Sequence, residues 1–155
     1  MSRTFSKSPA ARYAEKCHAM ERVYEEYAKS KGLTYMSFAV LEIIYKHSGH
    51  CTQKMICEQS LYTKQSVNAI IKAFWEQGYV ELTEEKADRR NKKIEFTQKG
   101  RSYADEIIGK YTAVENAAIR HLTDEQWEQL IGMAEIFEKH FAEGIRGLIE
   151  ATAGK

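Results

Sequence analysis

The sequence predicts a mainly α-helical fold with one small β-hairpin, and three observations carry that prediction. Apolar residues recur at helical spacing along both ends of the chain. Between those ends, residues 52–77 fit two helices joined by a tight turn, and two short alternating runs follow, Tyr79-Val80-Glu81-Leu82-Thr83 and Lys93-Ile94-Glu95-Phe96. The single proline, Pro9, lies near the N-terminus, so nothing downstream of it breaks a long helix. Helix, turn, helix and hairpin together outline a winged helix-turn-helix, here with extra helices on both sides.

Each element has a local reason to start and stop. Tyr13, Cys17, Met20, Tyr24 and Tyr27 mark one face of a long first helix. Lys31-Gly32 ends it, because glycine accepts the left-handed cap. Thr34 is the expected N-cap of a second helix, with Phe38, Leu41 and Ile44 turned inward and Ser48-Gly49 as its stop. Thr52 caps a short third helix carrying Met55 and Ile56. Thr63 caps a fourth, whose buried stripe is Val67, Ile70, Ile71 and either Phe74 or Trp75, and Gly78 ends it. After the hairpin, Ala104, Ile107, Tyr111, Val114, Ala118 and Leu122 form another helical stripe. Thr123-Asp124-Glu125-Gln126 then reads as a capping box, opening a last helix with Trp127, Leu130, Ala134, Phe137, Phe141 and Ile145 on one face.

Charge is distributed unevenly. The net charge is only +1, yet residues 86–101 hold seven cations, Lys86, Arg89, Arg90, Lys92, Lys93, Lys99 and Arg101, against Asp88 and Glu95. Residues 102–155 instead carry five Lys or Arg and ten Asp or Glu. Local cation density governs contact with phosphate, so the hairpin is suited to nucleic acid while the acidic C-terminal third should lie away from it.

Composition excludes several classes. No apolar run approaches the roughly 20 residues of a membrane span. The start, Met1-Ser2-Arg3-Thr4-Phe5, lacks the apolar core of a secretory signal, and three cysteines without framework spacing suit a reducing compartment. A cytoplasmic protein with no membrane partner is expected. There is no phosphate-cradling glycine loop, G-x-S-x-G elbow or H-E-x-x-H, so no enzyme is expected. His47, His50 and Cys51 fall close together but lack the paired spacing of zinc ligands, so neither metal nor cofactor is expected. A winged module of about 70 residues buries its own core, so the flanking helices, 8–31 and 101–150, need another use for their apolar faces. Homodimerisation is the expected use, because symmetric half-sites in DNA also call for two copies; the alternative is that these helices only wrap around their own domain.

The chain resembles the multiple-antibiotic-resistance-regulator (MarR) family of transcription factors. The resemblance rests on Asp88-Arg89-Arg90, Ile94-Glu95-Phe96-Thr97 and Gln98-Lys99-Gly100 in the wing. Upstream it rests on Thr63-Lys64-Gln65-Ser66-Val67-Asn68 leading to Gly78-Tyr79-Val80. One departure is Leu82, where the family often has a basic residue after the first wing strand. The resemblance implies a single domain over 1–155, with a DNA-binding lobe at 34–100, helix-turn-helix about 52–77 and wing about 79–97. It further implies a sequence-specific regulator, a repressor of a pseudo-palindromic operator relieved by a small aromatic or amphipathic effector.

Side-chain chemistry distributes the roles. Lys64, Gln65, Asn68 and Lys72 lie opposite the apolar stripe of the fourth helix; Gln and Asn suit an adenine edge, Lys suits guanine or phosphate. Thr63 and Ser66, in its first turn, suit phosphate oxygens. In the wing Lys92 adds a phosphate contact. Asp88 shapes the loop by pairing with Arg90, as the family implies; the alternative role, for Arg89 or Arg90, is entry into the minor groove. Tyr24, Tyr35, Met36 and Tyr111 are candidates to line an effector cleft. Two alternatives stand beside this reading: thiol-based redox sensing through Cys17, and a winged module that docks a protein rather than specific DNA.

Overall fold

The computed structural model describes residues 8–85 and 88–153, with side chains for all of these except 84, 85, 88–91 and 153. Seven helices and three strands follow in order: α1 Pro9–Ser30, α2 Tyr35–Lys46, β1 Cys51–Thr52, α3 Gln53–Ser60, α4 Lys64–Glu76, β2 Val80–Glu85, β3 Asp88–Phe96, α5 Gln98–Ala104, α6 Lys110–Ile119 and α7 Asp124–Ala153. A π-helical stretch, Asp105–Gly109, lies between α5 and α6. The chain packs as two compact units, divided between Tyr111 and Thr112. Among the described residues no helix is long and apolar enough to cross a membrane.

Threonine starts most of the helices. The Thr34, Thr52, Thr63 and Thr97 hydroxyls each accept from the backbone N–H three residues on, at 3.1, 3.3, 3.2 and 2.9 Å. Each cap satisfies a donor that the first helical turn leaves without a partner. Gly32 and Gly78 follow α1 and α4 at φ +72° and +71°, the left-handed conformation glycine adopts without strain.

In the first unit, every described buried residue falls between Ala28 and Ile108. Phe38, Leu41 and Ile44 of α2 form the centre, covered by Ile56 of α3, by Val67, Ile71 and Phe74 of α4, and by Val80 and Ile94 of the sheet. Phe74 is the inward aromatic of α4, and Trp75 is exposed. The hairpin is one strand larger than the sequence predicts. β1 pairs antiparallel with β3, Cys51 opposite Ile94, giving the order β1-β3-β2. Two residues are too few for a period-two alternation to show, so β1 leaves no signal in the sequence.

The stripe from Ala104 to Leu122 spans the division between the two units. Ala104 and Ile107 are buried in the first unit's core, whereas Val114 is 71% exposed. The π-helical stretch, with its wider turn, lies just before that division. Two tyrosines hold it. Tyr45 donates to the Asp105 carboxylate at 2.9 Å, which raises the pKa of its hydroxyl, and Tyr27 donates to the Ile107 carbonyl at 2.7 Å. Tyr27 is therefore packed against the core, although the sequence places it on the same seam as Tyr13.

In the second unit the capping box forms as predicted. Gln126 N–H donates to the Thr123 hydroxyl at 3.2 Å, and Thr123 N–H to the Gln126 side chain at 2.9 Å. The Trp127 indole donates to the Ile119 carbonyl at 2.9 Å, closing the corner between α6 and α7. Phe137 and Phe141 stack at 5.7 Å along α7.

Candidate nucleic-acid interface

The turn between α3 and α4 is tied at each residue. Ser60 donates its hydroxyl to Ile56 and accepts from Tyr62 N–H, at 2.6 and 3.2 Å. Leu61 closes α3 with its N–H on Cys57, at φ +57°, the one positive φ outside glycine among the described residues. A branched side chain in this conformation costs on the order of 1–2 kcal/mol. Thr63 then caps α4, its hydroxyl 2.9 Å from that of Ser66. Either oxygen can donate in that pair, so one hydroxyl proton remains available at the helix start, where N–H groups favour an anion.

From this start Lys64, Gln65, Asn68 and Lys72 project from α4, all exposed. Lys72 lies 3.7 Å from Glu76, an exposed pair weak enough to exchange for a phosphate. Lys64 and Asn68 line a groove of about 560 Å³ together with Gln53, Lys54 and Cys57 of α3, Ile71, and Leu82, Lys92 and Ile94 of the hairpin. Lys54, Lys64 and Lys92 line it beside apolar Ile71, Leu82 and Ile94, and among the described residues no carboxylate does, although Glu58 lies 3.8 Å from Lys54. Leu82, opposite Ile94 in the sheet, supplies floor here rather than charge. Gln53 also reaches Lys64, its amide donating to the Lys64 carbonyl at 3.3 Å. Gln53 and Lys54 were not singled out from sequence. The only signal was their place in the first turn after the Thr52 cap.

The hairpin runs antiparallel from Val80 opposite Phe96 to Glu84 opposite Lys92, with a register shift between Glu84 and Glu85. Lys86 and the tip lie outside the described residues, and so do the side chains of Asp88, Arg89 and Arg90, so the predicted Asp88–Arg90 pair is not described. Not every cation near the wing is free to meet phosphate. Lys93 pairs with Glu95 at 2.9 Å, which lowers the Glu95 pKa. Lys99 donates to the Gln77 carbonyl at 2.7 Å and lies over the Tyr79 ring. Arg101 binds Asp105 and Ser48 and stacks on Tyr45. Lys92 is exposed beside the groove.

Below the wing, Thr97 donates to the Gly78 carbonyl at 2.7 Å and its N–H to Tyr79 at 3.1 Å. Gly100 sits against the same peptide: a Cβ there would fall 1.7 Å from the Tyr79 oxygen. The glycine of the wing pattern is therefore a close-approach residue.

Elsewhere, Tyr24, Tyr35 and Tyr111 come together. Tyr24 stacks on Tyr35 at 6.1 Å and meets the edge of Tyr111 at 6.3 Å, and Tyr111 packs on Phe38 at 5.1 Å. Met36 is half-buried beside them in sequence. Tyr35 also lines a cleft of about 270 Å³ with Glu42, Lys46, Gln59 and Tyr62. Cys17 is exposed, Cys57 half-buried, and Cys51 buried, its thiol pushed up to about 11 by burial. His47 caps α2, with one ring nitrogen 3.4 Å from His50. Among the described residues no three His, Cys, Asp or Glu side chains group as a metal site.

Two helices across a tied turn, with a three-stranded sheet closing the core, define a winged helix-turn-helix protein. Residues 31–91 match the model of the MarR family. The regulator PapX of Escherichia coli is 26% identical over 98 residues, 63% of this chain, and the match spans 57% of the length of PapX. The structure of NMB1585, a MarR family regulator from Neisseria meningitidis, is 25% identical with a TM-score of 0.72, covering 89% of this chain and 99% of that one. A MarR family regulator from Listeria monocytogenes, solved with a 26-mer DNA, shares the fold at 16% identity and a TM-score of 0.66, over 90% and 92% of the two chains. The chain is similar to MarR family regulators, and the family model matches it over the helix-turn-helix and most of the wing.

Proposed function

We propose that this protein is a DNA-binding transcription regulator that reads duplex DNA through α4 and the wing. One observation carries the reading: the groove between α3, α4 and the hairpin is lined by three lysines and an asparagine and, among the described residues, by no carboxylate. Asn68 and Gln65 present amides able to bond an adenine edge through two atoms, and Lys64 and Lys72 reach guanine or phosphate. Thr63 and Ser66 meet a phosphate at the helix start. Lys92, Arg89 and Arg90 supply the wing's contacts, with Asp88 shaping its loop. The name of PapX and the DNA-bound Listeria relative support the same class of partner.

The finer reading is a homodimer on a pseudo-palindromic operator, working in the cytoplasm as a repressor that a small aromatic or amphipathic effector releases. Support for the dimer comes from α7, where Leu130, Phe137, Phe141 and Ile145 share a helix face and are exposed on the single chain. An interface of this kind typically buries above ~2,000 Å² in total. The aromatic cluster of Tyr24, Tyr35 and Tyr111 is the proposed effector site, beside Met36. A ligand there acts only by preferring one spacing of the two α4 helices, so it and DNA weaken each other's binding by one factor.

The test is retention of duplexes from a randomised pool, repeated across salt. Steep salt dependence together with enrichment of a symmetric sequence is expected. Retention that is absent, or that enriches no sequence, overturns the reading and favours a protein-docking module.

A further inference from the structure

Leu61 is the most exposed large apolar side chain among the described residues, at 89%. It also holds the one strained backbone among them outside glycine. Both features work against the folded lobe, since glycine would relieve the strain and a polar residue would suit the exposure. Nor is the turn loose. Leu61 N–H is held by Cys57, Tyr62 N–H by Ser60, and Tyr62 packs against the core, so the side chain is presented from a fixed base. That base lies two residues before the Thr63 cap, at the end of α4 that carries Lys64 and Gln65.

We propose that Leu61 is a specificity-determining contact that reads thymine methyl groups in the major groove. The proposal rests on the DNA-binding reading above. Leu61 closes α3 and stands two residues before the cap of the recognition helix, whose first turn faces base edges, and the thymine C5 methyl is the one apolar group on those edges. A leucine neither donates nor accepts hydrogen bonds, so it discriminates by covering that methyl. The polar side chains of α4 address donors and acceptors instead. Leu61 thus adds a kind of information that Gln65, Asn68 and Lys64 lack.

The experiment uses the full chain and duplexes it has selected from a randomised pool. Deoxyuridine replaces thymidine one position at a time, which removes the methyl and keeps every hydrogen-bonding atom. At one or two positions in each half-site the wild type should lose about three- to five-fold in affinity, the worth of one buried methyl. Leu61→Gly should lose that sensitivity and bind thymine and uracil duplexes alike. Because glycine accepts φ +57°, this variant should unfold at the same or higher denaturant, which separates lost reading from lost folding. Leu61→Met should keep part of the discrimination. Selected duplexes that tolerate uracil everywhere, or a Leu61→Gly variant as uracil-sensitive as the wild type, overturn the leucine contact and leave the DNA reading intact. Failure to select any duplex overturns both.

Discussion

Gly100→Ala is the sharpest test of how the wing is anchored. The new Cβ would lie 1.7, 2.5 and 2.8 Å from the oxygen, carbon and Cα of Tyr79, all backbone atoms that cannot rotate aside. Ordinary contact begins at 3.4 Å, so the carbonyl must retreat by about 1.7 Å. A shift of that size breaks the bond from Thr97 N–H to Tyr79 and strains the one from the Thr97 hydroxyl to Gly78. Two hydrogen bonds at about 1 kcal/mol each, with about 1–3 kcal/mol of overpacking, give a loss of roughly 3–5 kcal/mol. Small domains have only about 5–15 kcal/mol in total. Urea unfolding followed by tryptophan fluorescence should show a lower midpoint at unchanged slope. The control is Gly132→Ala in α7, where nothing lies within 4 Å of the added Cβ. There the same change should stabilise by roughly 0.5–1 kcal/mol, because alanine loses less entropy in a helix. A loss below about 1 kcal/mol for Gly100→Ala would show that β2 and α5 are not in register as described.

Replacing Arg89 and Arg90 together with alanine should flatten the salt slope of DNA binding by up to about two units, and Lys92→Met by about one. Lys99→Met should leave that slope alone, because Lys99 is committed to Gln77 and Tyr79; a slope as altered as that of Lys92→Met would show otherwise. Gln65→Ala or Asn68→Ala should cost about 1–3 kcal/mol on a selected site and far less on random DNA, as competition binding would measure. Phe141→Glu should convert dimers to monomers in light scattering, and a wild type that is already monomeric at micromolar concentration would refute the interface. Cys51 should resist alkylation in the folded protein at pH 8, where a thiol titrating at about 11 is roughly one part in a thousand thiolate; rapid labelling would contradict its burial.

Those outcomes separate what is local in this chain from what is not. The helix starts at Thr34, Thr52, Thr63 and Thr123 were readable because a cap is made within three residues of itself. The β2–β3 pairing was readable for the same reason, as alternation and a short basic connection lie close in sequence. Lys99 and Arg101 were misleading as charges. Their partners, Gln77 and Ser48, are 22 and 53 residues away, and only the folded lobe brings them together. Gln53 and Lys54 escaped notice because their place beside the groove depends on how α3 packs against α4 and the sheet. The face of α4 could be listed from its period alone, whereas the choice of Phe74 over Trp75 as its buried aromatic needed the packed core.

The π-helical stretch at Asp105–Gly109 decouples the two ends of the helix in which it sits. Each residue added to or removed from a helix turns everything beyond it by about 100° and slides it by about 1.5 Å. Deleting one residue here would restore a plain α-helix and rotate α6 relative to Ile107 and Ile108, which the lobe holds in place. The apolar face of α6 is thus set by chain length at this point as much as by the residues it carries. A single insertion or deletion can re-aim that face without altering any core side chain. Relatives that orient α6 differently should therefore differ by one residue here, and an alignment that forbids a gap at the stretch will compare side chains about 100° apart around the helix.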